Sequence, residues 1–196
     1  MSRYCRSLPA KGKPPLMIPR KLDKLRIVTY PDPLLKKTCI EITDFGPRLK
    51  ALADRMLELM LGAKGVGLAA PQVGILARMF VCNVTGEPDD NLVCFNPTFS
   101  ELSGAGEAEE GCLSLPGVTV TMRRATHAVM RAQDATGSVF ELTGEDLRAR
   151  IWQHEADHLD GRLIIDNMSA TDEIANRRVL KQLKSGQPPK TQSGLR

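Results

Sequence analysis

The chain has 196 residues, 42% of them hydrophobic, and this size predicts one globular domain that buries its core without disulfide bonds. Its five cysteines include no CxxC pair, which excludes a disulfide scaffold and a zinc ribbon and indicates a reducing compartment. Lys and Arg outnumber Asp and Glu by 27 to 23, but the excess lies at the two ends; the acidic body argues against a nucleic-acid-binding face and predicts no DNA partner.

Both ends are predicted to lie outside the folded domain, which we place at 25–184. Residues 1–24 hold seven Lys or Arg and four prolines, typical of a basic, disordered extension. An organelle transit peptide is the alternative, although its few serines and its prolines weaken that interpretation. Residues 185–196 form a second predicted disordered tail. No apolar run is long enough to cross a bilayer and no signal peptide is present, so we expect a cytoplasmic protein with no membrane partner.

The predicted elements follow no regular alternation of strands and helices. A short strand is expected at 25–29, then an amphipathic helix at 47–61. Five strands follow, at 77–84, 92–95, 118–122, 127–132 and 139–142, with a hairpin turn at 134–137 joining the last two into an antiparallel pair. A helix at 145–159, capped by Thr143, and a final helix at 171–183 end the domain. Strands clustered between helices indicate an α+β fold.

The sequence HEADH at 154–158, on the penultimate predicted helix, has the spacing of a metal site. Residues four apart lie one turn apart on the same helix face, so both imidazoles can bind one ion while Glu155 approaches a water bound to it. Leu147 and Ile151 precede the histidines at helical spacing. The metal-binding face is therefore expected to continue an apolar stripe that is buried in the core.

Two histidines leave a catalytic metal one protein ligand short. The metzincin pattern is broken, because Ile164 stands where its third histidine would be. In other zincins a downstream glutamate is the third ligand. Here that residue could only be Glu173, on a basic segment predicted to be exposed, which weakens this option too. The upstream stretch EGCLSLP at 110–116 offers Cys112, whose thiolate would complete a Cys-His-His site with one position open for water. The other four cysteines are interpreted as small buried hydrophobic residues.

A third block, GVGLAAPQ at 65–72, links the first predicted helix to a strand. Its small residues permit close approach of another chain or a ligand, and Gln72 supplies a neutral donor and acceptor. No Lys-Ser or Lys-Thr follows, so the block is not a phosphate-binding loop.

Together and in this order, the three blocks resemble those of the peptide deformylases: a GxGxAAxQ loop, an EGCLS segment and a HExDH helix. The match covers 65–72, 110–116 and 153–161. The resemblance implies antiparallel β-sheets packed around a central metal-binding helix, with a C-terminal helix. It also implies a metal-dependent hydrolase that removes the N-formyl group from the N-terminal methionine of newly synthesised polypeptides and releases formate.

The resemblance also implies roles for individual residues. The implied metal ligands are Cys112, His154 and His158. Glu155 would carry the proton from water to the leaving amine, and Gln72 with the backbone N–H of Leu113 would hold the developing oxyanion. Ala156 departs from the family, which usually has a larger apolar residue there; the ligands are not affected.

Substrate contacts are predicted beside these residues. An apolar pocket for the methionine side chain is expected from Val66, Leu147 and Ile151, and the extended substrate backbone is expected to pair with Val66, Gly67 and Gly111. Ordinary core packing is the alternative for each pocket residue. Asp157 either orients a ligand, paired with Arg123 or Arg124, or faces solvent.

The sequence also suggests which metal, substrate and partner the protein binds. We expect one divalent metal ion, Fe²⁺ in preference to Zn²⁺, since a thiolate and two imidazoles suit both. N-formylmethionyl nascent peptides are the expected substrate, and the basic C-terminal segment, with Arg177, Arg178, Lys181 and Lys184, is a candidate for docking on ribosomal RNA. Two alternatives stay open: a zincin-like endopeptidase, and a binding protein that a metal stabilises without catalysis.

Overall fold

The structure, a computed structural model, describes residues 16–186. Its α-helices are α1 (Pro47–Gly62), α2 (Asp146–Leu159) and α3 (Ala170–Lys184). Its strands are β1 (Gly67–Ala69), β2 (Met79–Cys82), β3 (Leu92–Ser103), β4 (Gly106–Gly111), β5 (Thr119–Arg124), β6 (His127–Gln133) and β7 (Val139–Glu145). Short 3₁₀ turns lie at Leu22–Lys24, Pro33–Lys36, Ala70–Val73, Pro88–Asp90 and Ile164–Asn167.

The strands form two antiparallel sheets. One has five strands in the order β1-β2-β3-β6-β7, and the other is the β4-β5 hairpin. Helix α2 packs against β1, β2, β6 and β7 of the larger sheet and against the turn at 70–73. Arg150 of α2 also donates to Glu110 of β4 and to the Met122 carbonyl of β5, so α2 lies between the two sheets. This arrangement confirms the predicted α+β architecture, and α3 completes it by packing on β5.

The burial pattern explains why α2 lies at the centre. Trp152, which is fully buried, packs with Phe80 and Met130 of the larger sheet. Gly144 permits this contact, because a Cβ at that position would lie 2.6 Å from the indole ring. On the other side of β1 and β2, α1 packs its buried face, including Leu52 and Met56, into a separate part of the core. The turn of helix that bears the histidines is thus held on several sides.

Several sequence predictions are confirmed. Helix α1, helix α2, helix α3 and the antiparallel hairpin of β6 and β7 lie within a few residues of their predicted bounds. Cys39, Cys82 and Cys94 are buried and unpaired, as expected of small hydrophobic residues, whereas Cys5 lies outside the described residues. Within residues 16–186, no helix is both long enough and apolar enough to span a membrane.

Other predictions are wrong. Residues 25–29 form no strand, because Val28 and Tyr30 donate to the carbonyls of two separate segments, at Gln72 and Ser114. Thr143 does not cap α2. It lies in β7, where it pairs with Val129 of β6, and β7 runs directly into the helix.

Strand β3 continues past its predicted end at Phe95. Asn96 adopts a positive φ of 49° and the register shifts between Phe95 and Thr98, so the strand accommodates Pro97 at a bulge. Strands β1 and β4 were not predicted at all, and both prove to border the functional site.

The terminal predictions fall partly outside the described residues. Disorder at 1–15 and at 187–196 stays a prediction for that reason. Residues 16–24, which were included in the predicted extension, contain a 3₁₀ turn, and Leu16, Ile18 and Leu22 pack against the core beside α1. Arg48, in the first turn of α1, donates to the carbonyls of Ile18 and Pro19.

Candidate active site and metal centre

Helix α2 and the turn after β4 bring three ligand groups together. The Cys112 Sγ atom and ring nitrogens of His154 and His158 all lie within 4.8 Å of one another. Cys112 Sγ is 3.3 Å from His158 Nε2, and His158 is almost fully buried. The two histidines share a helix face because they are four residues apart. Cys112 reaches them because its turn closes with a hydrogen bond from Leu115 N–H to its carbonyl.

Glu110 orients one of these ligands. Its carboxylate accepts from His154 Nδ1 at 2.9 Å, from Arg150 at 2.8 Å, and from Arg124 through two hydrogen bonds of 2.7 and 2.9 Å. Burial opposes the charged form, but the hydrogen bonds from His154 and Arg124 outweigh it and lower the pKa of Glu110 to about 2. Glu110 is therefore an anion that fixes the ring of His154 and leaves Nε2 to bind a metal.

Arg124 extends the network to Asp157, which accepts from it at 2.7 Å. Asp157 is therefore paired with Arg124, one of the two partners considered for it, and only a quarter of its side chain is exposed. Burial opposes the charge on Arg124, yet the hydrogen bonds that its guanidinium donates to the two carboxylates raise its pKa. The result is a chain of alternating charges behind the three candidate ligands.

Gln72 is held with its amide in one orientation. The side chain is 1% exposed, and its Oε1 accepts from the Ala69 backbone N–H at 2.8 Å. Since a backbone N–H only donates, the amide NH₂ must face the opposite side, where it lies 3.4 Å from Cys112 Sγ and 3.2 Å from Ser114 Oγ. The NH₂ group is thus fixed beside the ligand cluster.

Glu155 lies on the same helix, between the two histidines. It is 3% exposed, and within the described residues its buried Oε2 atom has no hydrogen-bond partner. Burial raises the pKa of Glu155 to about 7, against the opposing effect of the cations at His154 and Arg124. Gly67 leaves room for this carboxylate, because a Cβ atom at position 67 would lie 2.2 Å from Glu155 Oε1.

An open cavity of about 390 Å³ leads to these groups. All five residues predicted to bind substrate line it: Val66, Gly67, Gly111, Leu147 and Ile151. Gln72, Cys112, Leu113, His154 and Glu155 line it as well, together with Lys64, Gly65, Glu109, Glu110 and Arg150. The expectation that Leu147 is buried in an apolar stripe is wrong: it is 51% exposed, because the helix turns this residue to the cavity mouth.

The donor set fits a divalent transition metal. A thiolate and two imidazoles are a common catalytic set that leaves a position open for water. Burial lowers the pKa of His158 well below its usual value, which keeps that ring neutral, as a ligand must be. Although burial opposes it, hydrogen bonds to Cys112 and Glu110 raise the pKa of His154 to about 10, so a proton is released there when a metal binds.

The sequence profile described as polypeptide deformylase matches residues 24–173, about three quarters of the chain. The chain belongs to the polypeptide deformylase family. A peptide deformylase of Acidobacterium capsulatum is 43% identical over 164 residues, 82% of this chain and 96% of that protein. One of Thermodesulfovibrio yellowstonii is 40% identical over 162 residues, 82% of this chain and 98% of the relative.

Solved structures of the family are similar as well. A peptide deformylase from Legionella pneumophila is 39% identical, with a TM-score of 0.79, and the match covers 85% of this chain and 99% of that one. The structure from Plasmodium falciparum is 34% identical, also with a TM-score of 0.79, over 82% of this chain and 96% of its own. The chain is accordingly a metal-dependent hydrolase that removes the N-formyl group from nascent peptides.

Sequence reasoning missed part of this deformylase site. No role was assigned to Glu110 or Ser114, although both lie in the EGCLSLP stretch, or to Arg150 on α2. One signal pointed to Glu110: it lies two positions before a candidate ligand, and an acidic residue buried beside such a site needs a cationic partner. Arg124 could then have been preferred over Arg123, because alternation along β5 places it on the buried face.

Proposed function

We propose that the residues described above carry out deformylation in the following roles. Cys112, His154 and His158 hold the metal, and Glu155 moves the proton. The observation that supports this assignment best is the position of the Glu155 carboxylate. It is buried beside the three candidate ligand atoms, at the end of an open cavity. In the described part of the chain, one of its oxygens has no hydrogen-bond partner.

The metal is proposed to be Fe²⁺, with Zn²⁺ accepted by the same donors. A divalent ion bound by these residues would polarise a carbonyl oxygen and would lower the pKa of a water molecule far below its usual value, to about 7. The remaining work falls to the protein: it must position the formyl group, stabilise negative charge and deliver a proton.

Glu155 is proposed to take the proton of the attacking water and pass it to the nitrogen of the leaving amine. The second transfer is needed because an amine anion is a poor leaving group. A buried carboxylate suits both steps, since its raised pKa lets it accept and release a proton near neutral pH.

Gln72 and the backbone N–H of Leu113 are proposed to stabilise the charge on the formyl oxygen. The Gln72 NH₂ group points to the ligand cluster, and within residues 16–186 the Leu113 N–H has no hydrogen-bond acceptor. Both donors are thus available without rearrangement of the backbone.

We expect Gln72→Ala to lower kcat for formate release by about 10² to 10³, the usual cost of losing one such donor. The bound metal should stay near one per chain, because Gln72 is not among the ligands. Steady-state formate assays with parallel metal analysis measure both quantities. Gln182→Ala, on α3 and outside the cavity, is the matched control; a kcat near that of the control would remove Gln72 from the mechanism.

The methionine side chain is proposed to enter the cavity between Val66, Leu147 and Ile151. The substrate backbone would run past Val66, Gly67 and Gly111, which belong to or adjoin the edge strands β1 and β4. An edge strand has unpaired N–H and C=O groups with which an extended peptide can pair.

The activity is tested with protein purified under anaerobic conditions. Metal content is measured first, and formate release is then followed from formyl-Met-Ala-Ser with acetyl-Met-Ala-Ser as the control substrate. We expect formate from the formylated peptide, no acetate from the acetylated one, and about one metal ion per chain, since a single cluster of three ligands is present in the described residues. Bound metal without formate release, or casein cleavage, would overturn the proposal in favour of a structural metal or an endopeptidase.

Helix α3 is proposed to dock on ribosomal RNA, in the cytoplasm where nascent chains emerge. Arg177, Arg178, Lys181 and Lys184 are exposed, and within the described chain none forms an ion pair. We expect Arg177→Gln with Arg178→Gln to weaken ribosome cosedimentation and to flatten its salt dependence, by about 0.7 to 0.9 in the log–log slope for each lost phosphate contact. Lys50→Gln on α1 is the control; unchanged binding by the double variant would exclude this surface.

A further inference from the structure

The two apolar walls of the proposed methionine pocket come from distant parts of the chain. Val66 precedes the edge strand β1, and Leu147 lies in the first turn of α2; both are partly exposed at the cavity mouth. The distance between these walls determines which side chain fits, so whatever connects them sets the width of the pocket. This inference rests on the proposed assignment of the pocket.

The loop at 83–91 is attached to the Val66 wall. The Asn83 N–H donates to the Val66 carbonyl at 3.0 Å, one step beyond the ladder between β1 and β2. The Asn83 side chain is buried and organises the loop: its amide NH₂ donates to the Glu87 carbonyl and to Asn91, and its oxygen accepts from Gly86 N–H. A displacement of this loop would therefore move Val66.

Asp90 connects the same loop to the opposite wall. One carboxylate oxygen accepts from the N–H groups of Val84 and Thr85 at 2.7 and 3.0 Å. The other accepts from Nη2 of Arg148 at 2.7 Å. Arg148 directly follows Leu147 in α2, and the two side chains of the ion pair are only 34% and 15% exposed.

The first turn of α2 has few other attachments at its side. Its N-cap residue, Glu145, makes no capping hydrogen bond through its side chain, and Asp146 begins the helix with a positive φ of 42°. The Asp146 N–H donates to the Thr126 carbonyl at 2.7 Å, but the N–H groups that follow it have no side-chain cap, so the turn is less firmly held. The Arg148–Asp90 pair supplies a lateral attachment at the turn that bears Leu147.

We propose that Arg148 and Asp90 are positioning residues that set the width of the methionine pocket, by joining the Leu147 wall to the loop that holds Val66. They touch neither the metal ligands nor the reacting atoms. Their contribution is to substrate binding and to the choice of the first side chain.

The test compares kinetic constants of the metal-loaded enzyme for formyl-Met-Ala-Ser and formyl-Phe-Ala-Ser. We expect Arg148→Met to raise KM for the methionine peptide by about threefold to tenfold, with kcat within about twofold, as when uniform binding is lost. Discrimination against the phenylalanine peptide should fall, because the walls can separate. Arg148→Lys, which keeps a cation, should recover part of both effects.

Three further variants make the result specific. Arg78→Met removes the Arg78–Asp160 pair at the other end of α2, whose nitrogen–oxygen distance of 2.8 Å is similar, and should leave both kinetic constants unchanged. Asp90→Asn should reproduce the KM effect, and adding Arg148→Met to it should give no further rise, as expected of two residues in one interaction. Leu147→Ala should raise KM on its own.

The results distinguish a failure of the positioning role of Arg148 and Asp90 from a failure of the methionine-pocket assignment. If Leu147→Ala raises KM but Arg148→Met does not, the pocket is correct and the connecting role is wrong. If Leu147→Ala leaves KM unchanged, the pocket assignment fails and the inference fails with it. A fall in kcat equal to the change in kcat/KM, or additive effects of Arg148→Met and Asp90→Asn, would also overturn it. Thermal unfolding of each variant shows whether the fold is retained.

Discussion

Replacing Glu155 by Gln lowers kcat for formate release by about 10² to 10⁴, the usual contribution of a general acid–base group, while the chain keeps its metal. Glutamine fills the same volume but carries no proton between water and amine. Because the carboxylate is buried and one oxygen has no partner in the described structure, the neutral amide removes a desolvated charge and should not destabilise the fold.

Formate release and metal content, measured on the same preparation, check this result. Glu173→Gln is the matched control: Glu173 is exposed on α3 and was the alternative metal ligand of a zincin-like site. Its kcat and metal content should equal those of the unaltered chain. Full activity of Glu155→Gln would assign proton transfer to another group, and loss of its metal would make Glu155 a ligand.

The second large effect is expected from Glu110→Ala. The substitution leaves Arg124, Arg150 and Nδ1 of His154 without their shared acceptor in a buried setting. Removing one partner of a buried ion pair costs about 3 to 5 kcal/mol in the free energy of unfolding. Loss of the group that orients a histidine ligand weakens metal affinity by about 10- to 100-fold.

Urea denaturation of the metal-free chain and a competitive metal titration measure the two effects separately. Glu107→Ala, an exposed position on the same strand, should change the free energy of unfolding by no more than about 0.5 kcal/mol. The stability and the metal affinity of Glu110→Gln should lie between those of Glu110→Ala and those of the unaltered chain, because the amide oxygen of glutamine still accepts one hydrogen bond. Unchanged metal affinity in Glu110→Ala would show that the ring of His154 is held by other contacts.

The pH dependence of stability gives an independent check on Glu110. Its pKa is about 2 in the folded chain and near the ordinary value of 4.5 when unfolded. Below pH 4.5 the unfolded state therefore binds more protons, so the stabilisation present above that pH is lost progressively as the pH falls toward 2. Glu110→Ala should lack this component of the acid transition, whereas Glu107→Ala should retain it.

Elements with strong periodicity were predictable from the sequence. Helix α2 bears two histidines four residues apart within an apolar pattern, and this pattern fixes both the helix and the side on which the ligands meet. Cys112 could be predicted as the third candidate ligand, because the two downstream alternatives were weakened and Cys112 follows a glycine in a stretch that can turn. The hairpin of β6 and β7 was predictable from its turn residues, Asp134 to Gly137.

The strands that border the cavity were not predictable by the same means. Strand β1 has three residues, and β4, with the sequence GEAEEG, consists of residue types that are rare in strands. Strand β4 is stable because β5 pairs along its whole length and because Glu110 reaches its buried cations. These are tertiary interactions that a local pattern does not contain. The exposure of Leu147 was misjudged for the same reason, since helical spacing does not show where a cavity opens.

The glycines at positions 65 and 67 differ in how well they would tolerate a larger side chain. An added Cβ at position 65 would lie 2.7 Å from Leu113 Cδ1, the end of a side chain that can rotate away. At position 67 it would displace the carboxylate of Glu155. An engineer who wishes to reshape the cavity beside Leu113 can therefore work at position 65. Substitution at position 67 would move the proposed proton carrier, so a selection that demands activity should recover substitutions at position 65 and not at position 67.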